Sequence, residues 1–440
     1  MNRRDFLIKS GISVGAMHLP FSIGHRVNDS ARASILVLPL SLSLPDPLRF
    51  DDGRAVTTHQ QWRARRTEIL QTATRQMYGV MPDRPRHMHF EVLEHDGRWL
   101  NGRVRRRQIR IHFGREKNSA SADLLIYLPV RSGPVPVILG LNFWGNYAIC
   151  SDPDILIPDR WVEGDKNPFI NLSCVKENRA TEGCRGIDAS RWPLEMIFKH
   201  GYGIATMCRT DIDHDNQTNH DISPVRSMYP ELADRDDNFA TIGAWAWALR
   251  RCADYLESDS QIDAKKIAVY GWSRLGKAAV WAAANDERFA MLLSQESGAG
   301  GAKLFRTDKG QNIAQLTTTF PYWYSRQFHR YSDEDAQLPF DQHLIFSAIA
   351  PRFVHVASAA GDSQSYPPGE FLTALLATRV YKFLGYSGLP AHTMPPIDHP
   401  VFGRISYHIR PGGHNVMPYD WQQYMHSLHL AFGSEQNLNS

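Results

Sequence analysis

A serine stands where an apolar run in the sequence gives way to a helix-like pattern. In AVYGWSRLGKAA, Ser273 has Gly271 two residues before it and Gly276 three residues after it. The second glycine therefore stands one position later than in the common G-x-S-x-G form. Small residues around a serine between a strand and a helix are typical of a nucleophile elbow, whose sharp turn exposes the hydroxyl. A serine at a helix start is also a common N-cap. The strand, turn and helix context favours the nucleophile.

A serine hydroxyl is a weak nucleophile unless a neighbouring base takes its proton. In α/β-hydrolases that base is a histidine late in the chain, on a loop after the last strand. His414 in ISYHIRPGGHNVMPYDW has this context, because a short strand and then Pro411, Gly412 and Gly413 precede it. We therefore predict His414 as the base, with His343 and His408 as the histidines to consider next.

Two carboxylates could orient the histidine. Asp362 in VHVASAAGDSQSY follows a buried strand at the place where α/β-hydrolases usually carry their acid. Glu296 in LLSQESGAGGA ends the preceding strand, before a glycine-rich turn. Either carboxylate could instead cap a helix. The sequence favours catalysis for at least one of them and leaves the choice open.

Strands and helices alternate through the part of the chain that carries these residues. Short apolar runs such as VPVILGLNF, KIAVYGW and FAMLLSQES are separated by helical patterns, which predicts a mainly parallel sheet between helical layers, an α/β fold of the three-layer αβα kind. A helix from about Gln60 to Met77 and antiparallel strands from Arg103 to Val130 are expected before it. We expect one catalytic domain over residues 34–440, with a long insertion loop around residues 142–192.

Composition excludes several classes of protein. The 440 residues carry a formal net charge of +3 with basic residues dispersed along the chain, so no nucleic-acid-binding stripe is present. Hydrophobic residues make up 42% and charged residues 22%, which is typical of a folded globular protein rather than a disordered one. The five cysteines match no zinc pattern, and Cys174 and Cys184 are the closest pair in the sequence.

The first 33 residues are typical of a twin-arginine export signal. Arg3 and Arg4 precede Phe6, Leu7 and a modest apolar stretch, and SARAS offers a cleavage point near Ala33. No later stretch is apolar over the roughly 18 residues that span a bilayer. We expect an exported protein, periplasmic or secreted, in which a disulfide is permissible.

These motifs together resemble the glucuronoyl esterases, the 4-O-methyl-glucuronoyl methylesterases of carbohydrate esterase family fifteen, and in particular their bacterial branch. The resemblance covers most of the chain after the signal, through LNFWGNY, GWSRLGKAA, SQESGAGGA, FDQHLIFSAIAPR and PGGHNV. It implies the α/β-hydrolase fold, Ser273 as nucleophile and His414 as base. Members differ in the acid, and this sequence has both Glu296 and Asp362.

The resemblance also implies residues that contact the substrate. It implies that Arg274 helps hold the oxyanion, and that Lys277 and His343 contact the sugar. Two positions depart from the bacterial pattern: Gln364 stands where many members have a tryptophan against the glucuronoyl ring, and Gln311 where relatives often have a sugar-binding glutamate. Both changes affect substrate contacts, so ester hydrolysis is better supported than the identity of the sugar.

Three functions remain open from the sequence. The first is an exported serine esterase that cleaves glucuronoyl esters between xylan and lignin alcohols. The second keeps the catalytic residues but acts on acetylated xylan or another uronate ester, which Gln364 favours. The third is a non-catalytic carbohydrate-binding protein, which the complete triad argues against. No metal or cofactor is required, and we expect a monomer.

Overall fold

The computed structural model describes residues 43–115, 119–164, 172–216 and 223–433. The export signal predicted at residues 1–33 lies outside these ranges. Within the described ranges, nine strands form one sheet in the order β1-β2-β3-β5-β4-β6-β7-β8-β9. Its strands are β1 His89–Trp99, β2 Val104–His112, β3 Ser121–Pro129, β4 Val135–Asn142, β5 Gly203–Cys208, β6 Ile262–Trp272, β7 Phe289–Gln295, β8 Phe353–Ala359 and β9 Ile405–Arg410.

The sheet is antiparallel from β1 to β5 and parallel from β5 onward. The central parallel strands are buried along almost their whole length, as expected when both faces of a sheet are covered. Their carboxyl ends meet at one edge, because parallel strands share a direction. The loops after β4, β5, β6, β7 and β8 therefore approach one another there.

Helices cover both faces of the sheet. They are α1 His59–Ala73, α2 Leu194–Lys199, α3 Thr241–Leu256, α4 Arg274–Asn285, α5 Ile313–Thr319, α6 Gln342–Ser347, α7 Pro367–Phe383 and α8 Pro418–Phe432. One apolar core joins the sheet to α1 and to α3 through α7, and a second joins it to α2, α8 and the segment after β4. The predicted three-layer α/β architecture is thus confirmed. No helix in the described ranges is both long and apolar enough to cross a bilayer.

The edge strand β1 was not predicted. Its residues are mostly exposed or half-buried, and charged side chains interrupt any alternation, so the sequence lacks the period-2 pattern that marks a half-buried strand. The predicted antiparallel segment corresponds to β2 and β3. The predicted N-terminal helix corresponds to α1 and a following turn of π-helix that ends at Tyr78.

The described parts of the segment expected as an insertion, residues 142–164 and 172–192, pack against the second core. These parts are irregular apart from short 3₁₀ turns, and their Tyr147 and Trp192 are buried. Cys174 and Cys184, the pair closest in sequence, form a disulfide within it. Cys150, Cys208 and Cys252 are buried free thiols.

Candidate active site

Ser273 occupies the single-residue turn between β6 and α4. Its backbone has φ 58° and ψ −128°, a conformation that costs a non-glycine residue free energy and that commonly marks functional sites. A Cβ at Gly271 would lie 2.2 Å from the Leu275 carbonyl oxygen, and one at Gly276 would lie 2.8 Å from Ser297 Cβ. Both flanking glycines are therefore required for the chain to turn this sharply. The turn has the form that the sequence predicted.

His414 lies on the loop after β9, within reach of both predicted acids. Its Nδ1 is 2.6 Å from Asp362 Oδ2 and 3.1 Å from Glu296 Oε2. Asp362 follows β8 and Glu296 follows β7, so neighbouring parallel strands present both carboxylates to one ring nitrogen. With Nδ1 occupied in this way, Nε2 is the nitrogen available to act as a base.

The two carboxylates differ in their electrostatic surroundings. Burial would raise the pKa of Asp362, but hydrogen bonds from His414 and Ser365 outweigh burial and lower it to about 2. Burial raises the pKa of Glu296 even though His414 and Arg410 oppose that shift. Burial would lower the pKa of His414, but its hydrogen bonds to the two acids outweigh burial and raise it. Asp362 is therefore the more strongly ionised of the two.

Glu296 is held by donors other than the histidine. Its Oε1 accepts hydrogen bonds from Arg410 and from Gln295 Nε2, and its Oε2 accepts one from the Asn415 backbone N–H. His414, Asp362 and Glu296 also lie close enough together to hold a metal ion. Because N–H donors already reach each carboxylate oxygen, the cluster needs no ion to explain it.

A cavity brings the nucleophile, the base and the predicted oxyanion residue together. Its lining consists of Phe143, Trp144, Arg191, Arg209, Trp272, Ser273, Arg274 and His414. Trp144 and Arg191 come from the insertion, and Arg209 comes from the turn after β5. The sequence analysis missed these three residues. Only the position of Arg209 directly after a buried strand could have pointed to it.

Arg274 lies beside Ser273 with its guanidinium stacked on aromatic rings. The guanidinium carbon is 4.9 Å from the centroid of the Trp323 ring and 5.4 Å from that of Phe320. Its Nη1 donates to the Asp215 carboxylate, whereas its Nε is buried and has no hydrogen-bond partner among the described residues. Arg274 lines the cavity of the nucleophile, where a fixed cationic side chain suits an oxygen that becomes negative during a reaction.

Lys277 lies one helical turn after Ser273 and is 4% exposed. Its Nζ donates to the backbone carbonyls of Ser297 at 2.8 Å and Ala299 at 2.6 Å. Burial lowers the pKa of the ammonium group to about 7. These contacts tie α4 to the glycine-rich turn after β7. Lys277 does not line the cavity of Ser273, and its contact with a sugar stays a prediction.

The two glutamines at the departing positions lie next to each other. The backbone N–H of Gln311 donates to the Gln364 carbonyl at 3.0 Å, and the N–H of Gln364 donates to Asp362 at 3.2 Å. The side-chain Oε1 of Gln364 is buried without a hydrogen-bond partner in the described part of the chain. The structure thus joins both predicted sugar-contact positions to the loop that carries the catalytic acid candidate.

His343 lies apart from this group. It is buried on α6, where its Nε2 is 2.8 Å from the Pro45 carbonyl, and burial lowers the pKa of its ring. It does not line the cavity of Ser273. His408 is fully buried on β9 between His355 and Asp420. Neither histidine lies beside His414 in the cavity.

Comparisons with known proteins agree on one family. A family model described as fungal glucuronyl esterase matches residues 194–385. A prokaryotic protein of unknown organism named carbohydrate esterase MZ0003 is 40% identical over 398 residues, which cover 89% of this chain and 91% of that protein.

Two solved structures are similar over nearly their whole length. One, described as a promiscuous CE15 esterase from a marine bacterial metagenome, is 39% identical with a TM-score of 0.82 and covers 89% of this chain and 97% of its own. The other, a glucuronoyl esterase from Solibacter usitatus, is 36% identical with a TM-score of 0.82 and covers 91% of this chain and all of its own.

Proposed function

Since the chain belongs to the glucuronoyl esterase family, carbohydrate esterase family fifteen, we propose that it hydrolyses uronate esters with Ser273 as nucleophile, His414 as base and Asp362 as the principal acid. The protein is a carboxylic ester hydrolase of the α/β-hydrolase fold. The observation that carries the proposed roles is the cavity shared by Ser273 at its strained turn and by His414, whose Nδ1 is 2.6 Å from Asp362.

The proposed acylation step begins with attack of Ser273 Oγ on the ester carbonyl carbon. His414 Nε2 takes the hydroxyl proton as the new C–O bond forms. The tetrahedral intermediate then collapses, the bond to the alcohol breaks, and His414 returns its proton to the leaving alkoxide. Water attacks the acyl-serine by the same steps and releases the uronic acid. Asp362 holds the tautomer that leaves Nε2 unprotonated before attack.

Arg274 is proposed to stabilise the carbonyl oxygen in the tetrahedral intermediate. The charge on that oxygen is small in the bound ester and large in the intermediate, so a fixed cationic donor accelerates the reaction more than it strengthens binding. The position of Arg274 next to Ser273 in the cavity lining supports this role. Removal of such a donor typically costs on the order of 10² in turnover.

The substrate is proposed to be a glucuronoyl ester of the kind that joins xylan to lignin alcohols. The Cys174–Cys184 disulfide supports export to the periplasm or beyond, because disulfides persist in oxidising compartments. Gln364 and Gln311 favour a second candidate, an esterase on acetylated xylan or another uronate ester. The similar esterase described as promiscuous also supports a broader substrate range.

The deciding experiment compares uronic acid release from benzyl glucuronate with acetate release from acetylated xylan. We expect the glucuronate to be the faster substrate by kcat/KM, and Ser273→Ala to abolish both reactions. Faster acetate release would favour the second candidate. A serine-directed fluorophosphonate probe provides the control for a binding protein, because a non-catalytic protein should not be labelled at Ser273.

A further inference from the structure

A buried carboxylate joins two of the three arginines that line the catalytic cavity, Arg209 and Arg274. Asp215 lies on the loop after β5 and is 4% exposed. Its Oδ2 accepts hydrogen bonds from Nη1 of Arg274 and, at 2.8 Å, from Nη1 of Arg209. Its Oδ1 accepts one from Trp323 Nε1 at 2.8 Å. Asp215 has φ 52°, so the backbone adopts a strained conformation at the residue that makes these contacts.

The charge of Asp215 makes this arrangement possible. Two guanidinium groups that meet at one carboxylate oxygen repel each other, and each is costly to bury without an anion. Burial would raise the pKa of Asp215, but Arg274 and Arg209 outweigh burial and lower it. Glu163 from the insertion provides a second anion, 2.8 Å from Nη2 of Arg209. Two arginines and two carboxylates thus balance one another in charge within this group, in which Asp215 and Arg209 are the buried members.

The two arginines differ in how far they are exposed to the cavity. Arg209 is 1% exposed and uses Nη1 and Nη2 on Asp215 and Glu163. Its role is therefore to hold the Asp215 carboxylate in place through the hydrogen bond to Oδ2. The Arg274 side chain is 16% exposed, and it is fixed at Nη1 by Asp215 and across its plane by Trp323 and Phe320. The Arg274 guanidinium, stacked on two rings and hydrogen-bonded at one nitrogen, therefore has little freedom to rotate.

We propose that Asp215 is a positioning residue that holds Arg274 in the orientation needed to receive the oxyanion. This inference rests on the proposed roles of Ser273 and Arg274. Preorganised donors are effective because they need no rearrangement when charge develops on the substrate. Loss of Asp215 should therefore lower kcat while KM changes little, since the bound ester carries no charge on that oxygen.

A double-mutant cycle on benzyl glucuronate separates positioning from a general structural role. Asp215→Asn removes the charge with little change in size, and we expect kcat to fall by about 10- to 100-fold with KM changed by less than about threefold. In an Arg274→Ala background the same substitution should lower kcat by less than about threefold, because the residue on which Asp215 acts is already gone. The midpoint of thermal unfolding is measured for each variant.

Asp286→Asn is the matched control. Asp286 is also buried and paired with arginines, but it lies at the opposite end of α4 from Ser273, so its loss should leave kcat unchanged. Unchanged kcat in Asp215→Asn, or an equal loss in both backgrounds, would overturn the proposal. Wild-type turnover in Arg274→Ala would overturn it as well, and would place the failure in the proposed oxyanion role.

A second variant tests the same point if Asp215→Asn does not fold. Tyr322 donates its hydroxyl to the Asp215 backbone carbonyl at 2.9 Å and approaches Oδ1 at 3.3 Å. Tyr322→Phe keeps the ring and loosens the carboxylate, so kcat should fall by about threefold in the wild-type background and remain unchanged in Arg274→Ala. A kcat equal to that of the wild type in Tyr322→Phe would contradict the proposal.

Discussion

Replacement of Asp362 should lower kcat far more than replacement of Glu296, although both acids lie beside His414. Asp362→Asn removes the carboxylate that is 2.6 Å from Nδ1, whereas Glu296→Gln removes one at 3.1 Å. At an effective dielectric constant of about 20, a carboxylate about 4 Å from an imidazolium contributes about 4 kcal/mol. Loss of that attraction in the transition state corresponds to about a 10³-fold decrease in kcat for Asp362→Asn.

The effect of Glu296→Gln should be much smaller. Arg410 donates to the same carboxylate and its positive charge offsets most of the field that Glu296 exerts on His414. A residual effect of roughly 1 kcal/mol corresponds to less than about a tenfold decrease in kcat. Steady-state kinetics on benzyl glucuronate measure both variants. Asp254→Asn, which replaces a buried, arginine-paired carboxylate on α3, is the control for folding.

The pH profile gives an independent check on the same assignment. The acid limb of kcat/KM reports the pKa of the catalytic base in the free enzyme. Activity therefore falls as the pH decreases through the pKa of His414. Both carboxylates raise this pKa. Asp362→Asn should therefore move the acid limb to lower pH as kcat falls. A larger loss in Glu296→Gln than in Asp362→Asn, or an acid limb unmoved in Asp362→Asn, would refute this reasoning.

Three further predictions follow from the same site and its surroundings. Ser273→Ala should abolish ester hydrolysis with an unchanged unfolding midpoint, and measurable turnover above background would exclude Ser273 as nucleophile. Gln364→Trp should lower KM for methyl glucuronate about tenfold, equivalent to about 1 to 1.5 kcal/mol of added ring contact; a raised KM would show that Gln364 makes its own contact. Replacing Cys174 and Cys184 with serine should reduce the free energy of unfolding in urea by up to about 3 kcal/mol, and an unchanged midpoint would contradict this.

The sequence was sufficient for the features that depend on local spacing. The turn at Ser273 follows from Gly271 and Gly276, because only small residues fit where the chain approaches itself this closely. The parallel sheet follows from apolar runs that alternate with helical patterns. Even the two candidate acids could be identified, since Asp362 and Glu296 each end a buried strand and parallel strands end at the same edge. The exposed edge strand β1 could not be predicted, because a strand that is mostly exposed needs no regular alternation of apolar residues in its sequence.

Tertiary structure alone decided how these residues interact. Both acids reach the same nitrogen of His414, at unequal distances. The field of Glu296 on His414 is further offset by Arg410 on β9, which lies 114 residues after Glu296 in sequence. The pairing of Arg274 with Asp215 likewise joins the first residue of α4 to the loop after β5, 59 residues away in sequence. Spacing along a chain carries no information on such pairs, because their distance is set by how strands order themselves in the sheet. Electrostatic interactions between charged groups act through space, so the charges that tune this site became visible only once the strand ends were brought together.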